Sequence, residues 1–543
     1  MPETFEYVII GAGSAGCVIA NRLATLGGAK VCVLEAGPPD THPFIHIPAG
    51  FMKTVVDPRV NWMYDTEPSH WTGGRSIAQP RGKTLGGSGS INGHIYNRGQ
   101  RLDFDTWAQL GNRGWGYADV LPYFKRAERR IGEGNDKFRG REGPLTVTDI
   151  DWQHPLLDAF INAAVSVGIP YNPDYNGESQ AGVSLAQRAI VKGRRMSPAR
   201  AFLHPAKKSG RLEIRPDSHV DKILFEGTRA VAVRYLRDGR RFEVHAEKEI
   251  ILSAGVFNSP QILHRSGIGP APVLSDLGVT PVHVLPGVGE NLKDHVYVPI
   301  VARVKGVDTL NERSKGLRLA SEVLRYLVDR SGILSLQPTL AYLSWHSDEV
   351  AKNLDLQITF TPGCYHKEYE KGLANFPGMT MAGWPHRTQS KGYVRARSTD
   401  PFVAPVIQPN YLDDPLDRHL TLAAMRLCRR LFNAPAFSRF YDGEESPGPE
   451  LSSDDELLDF CRQTASTCYH PMGTCRMSPY TDSSAVVDDE LRVHGLHALR
   501  VADASIMPAM VSANLNASTI MIGEKASDMI LGQKPLPSVE LAD

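Results

Sequence analysis

The chain has 543 residues, 42% hydrophobic and 22% charged, with 60 Lys plus Arg against 60 Asp plus Glu. That length exceeds one ordinary core and asks for two or more domains, and the balanced charge argues against nucleic acid as a main partner. No apolar run approaches the ~18 residues of a membrane-spanning helix, and the seven cysteines, odd in number and without C-x-x-C spacing, do not read as a disulfide framework. The N-terminus, MPETFEYVII, has no basic region followed by a long apolar run. No secretory signal is therefore expected, and the expected compartment is reducing cytoplasm, with peripheral association at the inner face of a membrane left open.

Tyr7 to Gly16 is an apolar strand entering G-x-G-x-x-G, with glycines at Gly11, Gly13 and Gly16. A helical pattern follows, with Val18, Ile19, Leu23 and Leu26 on one face and Gly27-Gly28 as its stop. Lys30 to Glu35 is a second buried strand ending in an acid. In such a βαβ unit the first glycine permits the tight turn, the second lets a diphosphate approach and the third lets helix pack on strand. The helix N-terminus offers free N–H groups to phosphate, and Glu35 can accept from a ribose hydroxyl. An acid there disfavours a 2′-phosphate; the motif alone does not separate FAD from NAD. Ala12 to Gly16 nearly spells the G-x-S-x-G elbow of hydrolases, but the first glycine is missing.

Residues 81–99, RGKTLGGSGSINGHIYNRG, hold six glycines in nineteen residues. Their apolar members Leu85, Ile91, Ile95 and Tyr96 argue for backbone held against a large ligand rather than a flexible linker. The basic runs Lys192 to Arg195 and Arg237 to Arg241 read as solvated surface. Glu213–Phe225, Ala230–Leu236 and Arg241–Ser253 read as a meander of strands returning to a buried one. Asp355–Thr361 alternates as a half-buried strand does, Gly392–Arg397 resembles another, and Leu420–Leu431 has helical periodicity.

Thr467 to Met477, TCYHPMGTCRM, brackets His470 with Cys468 and Cys475. Three readings stand on the residues alone. C-x-H-x4-C gives three of the four ligands zinc wants, at unusual spacing. Cys468 could be a nucleophile with His470 as base. His470 could simply be a satisfied core histidine.

Several stretches together resemble the glucose–methanol–choline (GMC) oxidoreductases, which bind FAD. Gly82 to Asn92, with Tyr96, Gly99 and Asp105, is similar to that family's first signature. Gly255 to Gly269 is similar to the second, with Val256 where a small residue is usual. Leu499 to Pro508 and Asn514 to Lys525 are similar to its C-terminal motifs. Within the family the tone is closest to the choline-dehydrogenase-like alcohol oxidoreductases. The resemblance implies a mixed α/β fold: a Rossmann-like FAD-binding domain (1–155, 195–310 and 460–543) interleaved with a substrate domain on an antiparallel sheet with helices (156–194 and 311–459).

The resemblance also implies a catalytic histidine within Tyr469 to Thr474, hence His470, and a second catalytic residue at Asn514, with Asn516 the alternative two residues on. It implies cofactor contacts at Gly11, Gly13, Ser14, Ala15, Gly16, Glu35, Ala36, Arg81, Gly82, Leu85, Gly86, Ser90, Asn92, Gly93, Ile95, Val220, Ala254, Asp503, Ala504, Asn514, Asn516 and Thr519. No metal is expected. Some members link FAD covalently through a histidine just before the loop asparagine. That position is Ile91 here and His94 has the wrong offset, so FAD is expected to be non-covalent. The implied reaction oxidises a small-molecule alcohol and passes electrons to O2 or a quinone-like carrier. A hydroxynitrile-lyase-type reaction on bound FAD is the alternative; a NAD dehydrogenase would leave the glycine-rich loop and the tail unexplained. Phe360, Tyr365 and Trp384 are candidate substrate contacts, and His366 and His386 are expected at the surface. Nothing in the sequence sets an oligomeric state.

Overall fold

The computed structural model describes residues 3–348, 351–366 and 372–541. Its first sheet is built on the strand Thr4–Ile10, which is flanked in parallel by Val31–Leu34 and by the long strand Arg240–Leu252. Leu212–Arg215 adds in parallel beyond Val31–Leu34. Arg240–Leu252 pairs antiparallel through its first half with Arg229–Arg237, which pairs with His219–Glu226, and parallel through its last three residues with Leu499–Val501. One strand thus joins the parallel dinucleotide-type sheet to the expected meander.

The helix Ser14–Thr25 follows the first strand, with Val18, Ile19 and Leu23 fully buried. Leu26, expected on that face, falls at the C-cap and is 56% exposed. The C-terminal helix Asn516–Ile530 packs against Ser14–Thr25 and is buried almost throughout. Its Glu524 carboxylate, inaccessible to solvent, is held by Arg22 and Arg126, both at 2.7 Å. Pairing of this kind lets a charge remain in a core.

The second sheet is antiparallel, in the order Tyr441–Ser446, Val296–Val304, Gly378–Pro385, Leu356–Thr361, Ala341–Trp345, Gly182–Leu185. Ser466–Thr467 also pairs with the start of Val296–Val304. Two strand segments, 296–304 and 466–467, belong to this sheet although the sequence division places them with the FAD-binding segments. The signal in VYVPIVARV was present, but sheet membership is set by partners far along the chain. Leu356–Thr361 is buried at every position, not half-buried, because the sheet is covered on both faces. Pro415–Phe432 packs on one of them. Tyr393–Arg395 is a strand, but it pairs with Val406–Gln408 in a separate ribbon.

Candidate active site

The pairing of Val296 with Thr467 decides the site's geometry. It places His295, just before one strand, beside the turn that follows the other; Cys468 N–H donates to the His295 carbonyl at 2.8 Å. Tyr469 then adopts a left-handed φ of 66°, an uncommon backbone for an aromatic residue that tends to mark functional sites. The turn is held by Tyr469 N–H to Thr467 Oγ1 at 2.7 Å and by His470 N–H to Asp294 Oδ1 at 2.8 Å. Asp294 also accepts from Thr467 Oγ1 at 2.6 Å and Tyr411 OH at 2.5 Å. Burial raises its pKa while these donors oppose the shift.

The His470 side chain sits in a chain of hydrogen bonds whose direction can be worked out. His295 Nε2 lies 2.8 Å from the carbonyl of His386, which can only accept, so Nε2 carries the proton. Burial lowers the pKa of His295 to about 4; the ring is neutral and its Nδ1 is a bare acceptor. His470 Nδ1, 3.0 Å away, must therefore be N–H. His470 is also held neutral, its pKa pushed well below the ordinary value by burial and by the neighbouring His295 and Arg81. Its Nε2 is then the unprotonated nitrogen and accepts from Asn514 Nδ2 at 2.8 Å. Asn514 is held in that sense because its Oδ1 accepts from Tyr342 OH at 2.8 Å. The result is a proton acceptor and an amide donor side by side.

Strand register builds the wall beside this pair. Tyr342, Thr359, Ala382 and Pro299 stand in one row across four strands, and Ser344, Gln357 and Trp384 in the next. Alternation puts Tyr297, two residues before Pro299, on the same face. The intervening positions, Leu343, Ile358, Phe360, Met381 and Val298, face the core. Phe360 therefore stacks on Phe160 at 4.8 Å instead of reaching the site. Trp384 is on the site face, its ring centroid 6.4 Å from His470. Trp384 Nε1 and Gln357 Oε1 are buried without a hydrogen-bond partner. Tyr365 lies near Tyr297. His386, expected at the surface, is fully buried, with Nε2 2.8 Å from Ser344 Oγ.

A second region gathers the dinucleotide-type residues. A Cβ on Gly11 would sit 2.5 Å from Ser253 O and one on Gly16 2.1 Å from Gly11 O, so both glycines are sterically required. A Cβ on Gly13 would meet only Ser253 O, at 3.7 Å; this is space a diphosphate could fill. The helix beginning at Ser14 has no side-chain cap. Glu35 is buried, accepts the N–H groups of Ala12 and Gly37 at 2.9 Å each, and has its pKa raised by burial to about 7. Ala36 follows it, and Val220 is close by, since Ser218 N–H donates to the Glu35 carbonyl at 2.7 Å.

The glycine-rich loop lies across these elements. Gly86 N–H donates to Ala12 O at 2.8 Å, Leu85 N–H to Pro38 O at 3.3 Å and Gly82 N–H to Ser88 Oγ at 3.1 Å. Ser90 Oγ caps Leu85 O at 2.7 Å. Ser14 Oγ donates to Asn516 Oδ1 at 2.7 Å, which places Asn516 beside the dinucleotide-type loop, whereas Asn514 lies beside His470. Asp503 accepts from Gly255 N–H at 2.9 Å and Ser259 Oγ at 2.6 Å, next to Ala254, while Ala504 O accepts from Gly473 N–H at 3.2 Å. Arg81 Nη2 reaches Tyr469 O at 3.0 Å. Thr519 Oγ1 bonds its own helix, at Leu515 O. Gly93 lies against Pro338, and Ile95 packs into the core of the second sheet, away from the dinucleotide loop.

Arg195, expected on the surface, is buried. Its Nη1 donates to Asn92 Oδ1 at 2.7 Å and Nη2 has no partner; an unpaired buried cation fits an anionic ligand. Sequence reasoning also missed His295, Asp294 and Tyr342. Nothing local marks them, since their contacts with His470 and Asn514 span 172 to 176 residues. All seven cysteines are free; Cys475 is buried beneath the turn, and Cys468 is partly exposed.

A glycine-lined dinucleotide cradle beside a buried neutral imidazole and amide defines a nucleotide-cofactor oxidoreductase. Comparison with known proteins makes this specific. Residues 5–297 and 388–523 match the N- and C-terminal models described as GMC oxidoreductase, and the chain belongs to that family. It is 40% identical to the mitochondrial choline dehydrogenase of Homo sapiens, covering 98% of this chain and 91% of that one. It is 38% identical to "Alcohol dehydrogenase [acceptor]" of Pseudomonas putida, covering 99% and 97%. Among solved structures it is similar to pyridoxine 4-oxidase from "Mesorbium loti", with 29% identity, a TM-score of 0.86 and coverage of 96% and 98%. Formate oxidase gives 26% identity, a TM-score of 0.90 and coverage of 97% and 98%. The protein is an FAD-dependent oxidoreductase acting on CH–OH donors.

Proposed function

We propose that the enzyme oxidises the CH–OH group of an uncharged alcohol to a carbonyl, with His470 as proton acceptor and Asn514 holding the substrate oxygen. The carrying observation is the hydrogen-bond chain that leaves Nε2 of His470 unprotonated and accepting from the Asn514 amide at 2.8 Å. An alcohol oxygen that displaces this contact would donate its proton to Nε2 and accept from Asn514 Nδ2–H. An aliphatic hydroxyl is a very weak acid, so its proton must leave with the α-hydrogen or just before it. Bound FAD would accept that α-hydrogen as hydride at N5. Orientation comes from Asn514, fixed by Tyr342. The positive charge His470 gains is shared with His295, whose own N–H is bonded to the His386 carbonyl.

The wall supports an uncharged substrate. A quaternary ammonium favours an acid together with aromatic rings. Tyr297 and Trp384 supply rings, yet none of the wall side chains named above is a carboxylate, and Asp294 is already engaged by three donors. FAD is held without a covalent bond in this reading. Ile91 packs with Ile45 and Val60, and His94 Nε2 is committed to Pro48 O at 3.0 Å. Electrons then pass to O2 or a quinone-type carrier.

The test is anaerobic mixing with choline and with aliphatic, benzylic, furanic and polyol alcohols, following flavin absorbance near ~450 nm. A neutral alcohol should bleach the flavin faster than choline does, and the speed of recovery in air names the acceptor. Fastest bleaching by choline would overturn the substrate reading and leave the reaction class. A flavin that no alcohol bleaches would favour the lyase chemistry.

A further inference from the structure

Among the described residues eight arginines are buried. Six of them lie beside a carboxylate: Arg98 and Arg139 share Glu128, Arg130 meets Asp149, Arg188 meets Asp151, Arg215 meets Glu213 and Arg500 meets Glu249. Arg265 has no acid within ion-pair distance among the described residues, but donates to Asp221 O at 2.9 Å and Val220 O at 3.3 Å. Arg195, 1% exposed, has neither an acid nor a full set of acceptors. Its Nε donates to Ile45 O at 2.7 Å, and its Nη1 to Asn92 Oδ1 at 2.7 Å and Gly89 O at 3.4 Å. Its Nη2 has no partner. Burial pushes its pKa down to about 9, and it is still a cation at neutral pH.

Arg195 lines a small void of about 10 Å³ together with Gly89, Asn92, His94 and Asn516. That is room for about one water. His94 Nε2 is committed to Pro48 O, and its Nδ1 is buried without a partner. A water in the void can bridge His94 Nδ1 to Arg195 Nη2, but a neutral water leaves the charge of Arg195 unbalanced. A buried cation without a counter-charge is costly to keep. The void adjoins the dinucleotide cradle. Asn516 Oδ1 accepts from Ser14 Oγ at 2.7 Å, and a Cβ on Gly89 would lie 3.1 Å from Ser14 Oγ. Ser14 opens the helix without a side-chain cap, where phosphate is expected.

We propose that Arg195 is the buried counter-charge of the FAD diphosphate, so that the protein holds a flavin bearing phosphates far better than one without them. The charge acts across the void and needs no direct contact. The inference concerns how the cofactor is retained and is independent of the alcohol reaction proposed above.

The test strips the flavin from the full chain and titrates the apoprotein with FAD, riboflavin and inorganic pyrophosphate. Pyrophosphate should raise the melting temperature of the parent apoprotein. Arg195→Gln keeps hydrogen-bonding capacity but no charge. It should bind FAD roughly 10- to 100-fold more weakly, the size of a charge pair about 6–8 Å apart at an effective dielectric of about 20. Its riboflavin affinity should stay within about twofold of the parent, since riboflavin carries no charge for Arg195 to meet. Arg195→Lys restores the charge without the forked contacts to Ile45, Gly89 and Asn92, and should recover most of the FAD affinity. Equal weakening of FAD and riboflavin in Arg195→Gln would make Arg195 a clamp on the glycine-rich loop and overturn the proposal. So would an Arg195→Lys enzyme as weak as Arg195→Gln. A parent apoprotein indifferent to pyrophosphate would overturn it with no variant needed.

Discussion

Replacing His295 by Leu tests the hydrogen-bond chain behind the imidazole proposed as the proton acceptor. The Nδ1–Nδ1 contact at 3.0 Å lies on the side of His470 away from Asn514, so the change leaves the proposed substrate groups in place. What it removes is the acceptor that stabilises His470 Nδ1–H as the ring becomes cationic. A hydrogen bond to a charged group contributes about 1.5–3 kcal/mol, which corresponds to a roughly 10- to 150-fold slower bleaching step. Substrate affinity should change little. Two buried groups, His470 Nδ1–H and the His386 carbonyl, would also lose their partners, at about 1–3 kcal/mol each. The variant should therefore melt earlier. His295→Gln, whose amide oxygen can accept from Nδ1–H, should recover part of the rate. The assay is anaerobic rapid mixing with a bleaching alcohol, with flavin content and melting temperature measured on each variant. A folded, flavin-loaded His295→Leu enzyme that bleaches within about twofold of the parent would refute the role given to His295.

Gly13→Ala should fold normally but retain less FAD, because its Cβ enters the space beside the helix N-terminus, whereas Gly16→Ala should lower stability even without cofactor, since its Cβ would lie 2.1 Å from Gly11 O; cofactor content and apoprotein melting temperature separate the two. Acid should destabilise the fold through His219, His264 and His295, whose pKa values burial lowers to about 4. Below about pH 6.5 the unfolded chain binds protons these rings refuse, so stability is fully present above 6.5, falls as pH drops and levels off near 4. Each ring contributes up to about 3 kcal/mol over that window. Melting temperatures flat from pH 7 to pH 5 would contradict this. Asn514→Ala should slow flavin bleaching, and Tyr342→Phe should slow it less, because Tyr342 acts only through Asn514 Oδ1; equal effects would mean that Tyr342 touches substrate itself.

The dinucleotide loop was legible because its requirements are local: three glycines and an acid lie within 35 residues, and the close backbone approaches at Gly11 and Gly16 are both present. The roles proposed for His470 and Asn514 came only through the resemblance. Residues on their own left His470 open among three roles, and the separation of Asn514 from Asn516 needed the helix start at residue 516. Strand parity was the limit elsewhere. Phe360 and Trp384 look alike as aromatic residues in strands, and only register places one in the core and the other beside His470. His295 and His386 carry no local mark at all. Their burial follows from a sheet that pairs Val298 with Gly383 and Val296 with Thr467, and the same pairing joins 296–304 to strands outside its expected segment.

The measurement closest to the central claim is single-turnover flavin reduction in the parent and in His470→Ala with one alcohol under anaerobic conditions. The parent should bleach, and a His470→Ala enzyme with full flavin content should bleach at least about 100-fold more slowly, the range for losing a general base. Equal rates in the two proteins, or a parent whose flavin no alcohol reduces, would contradict the account.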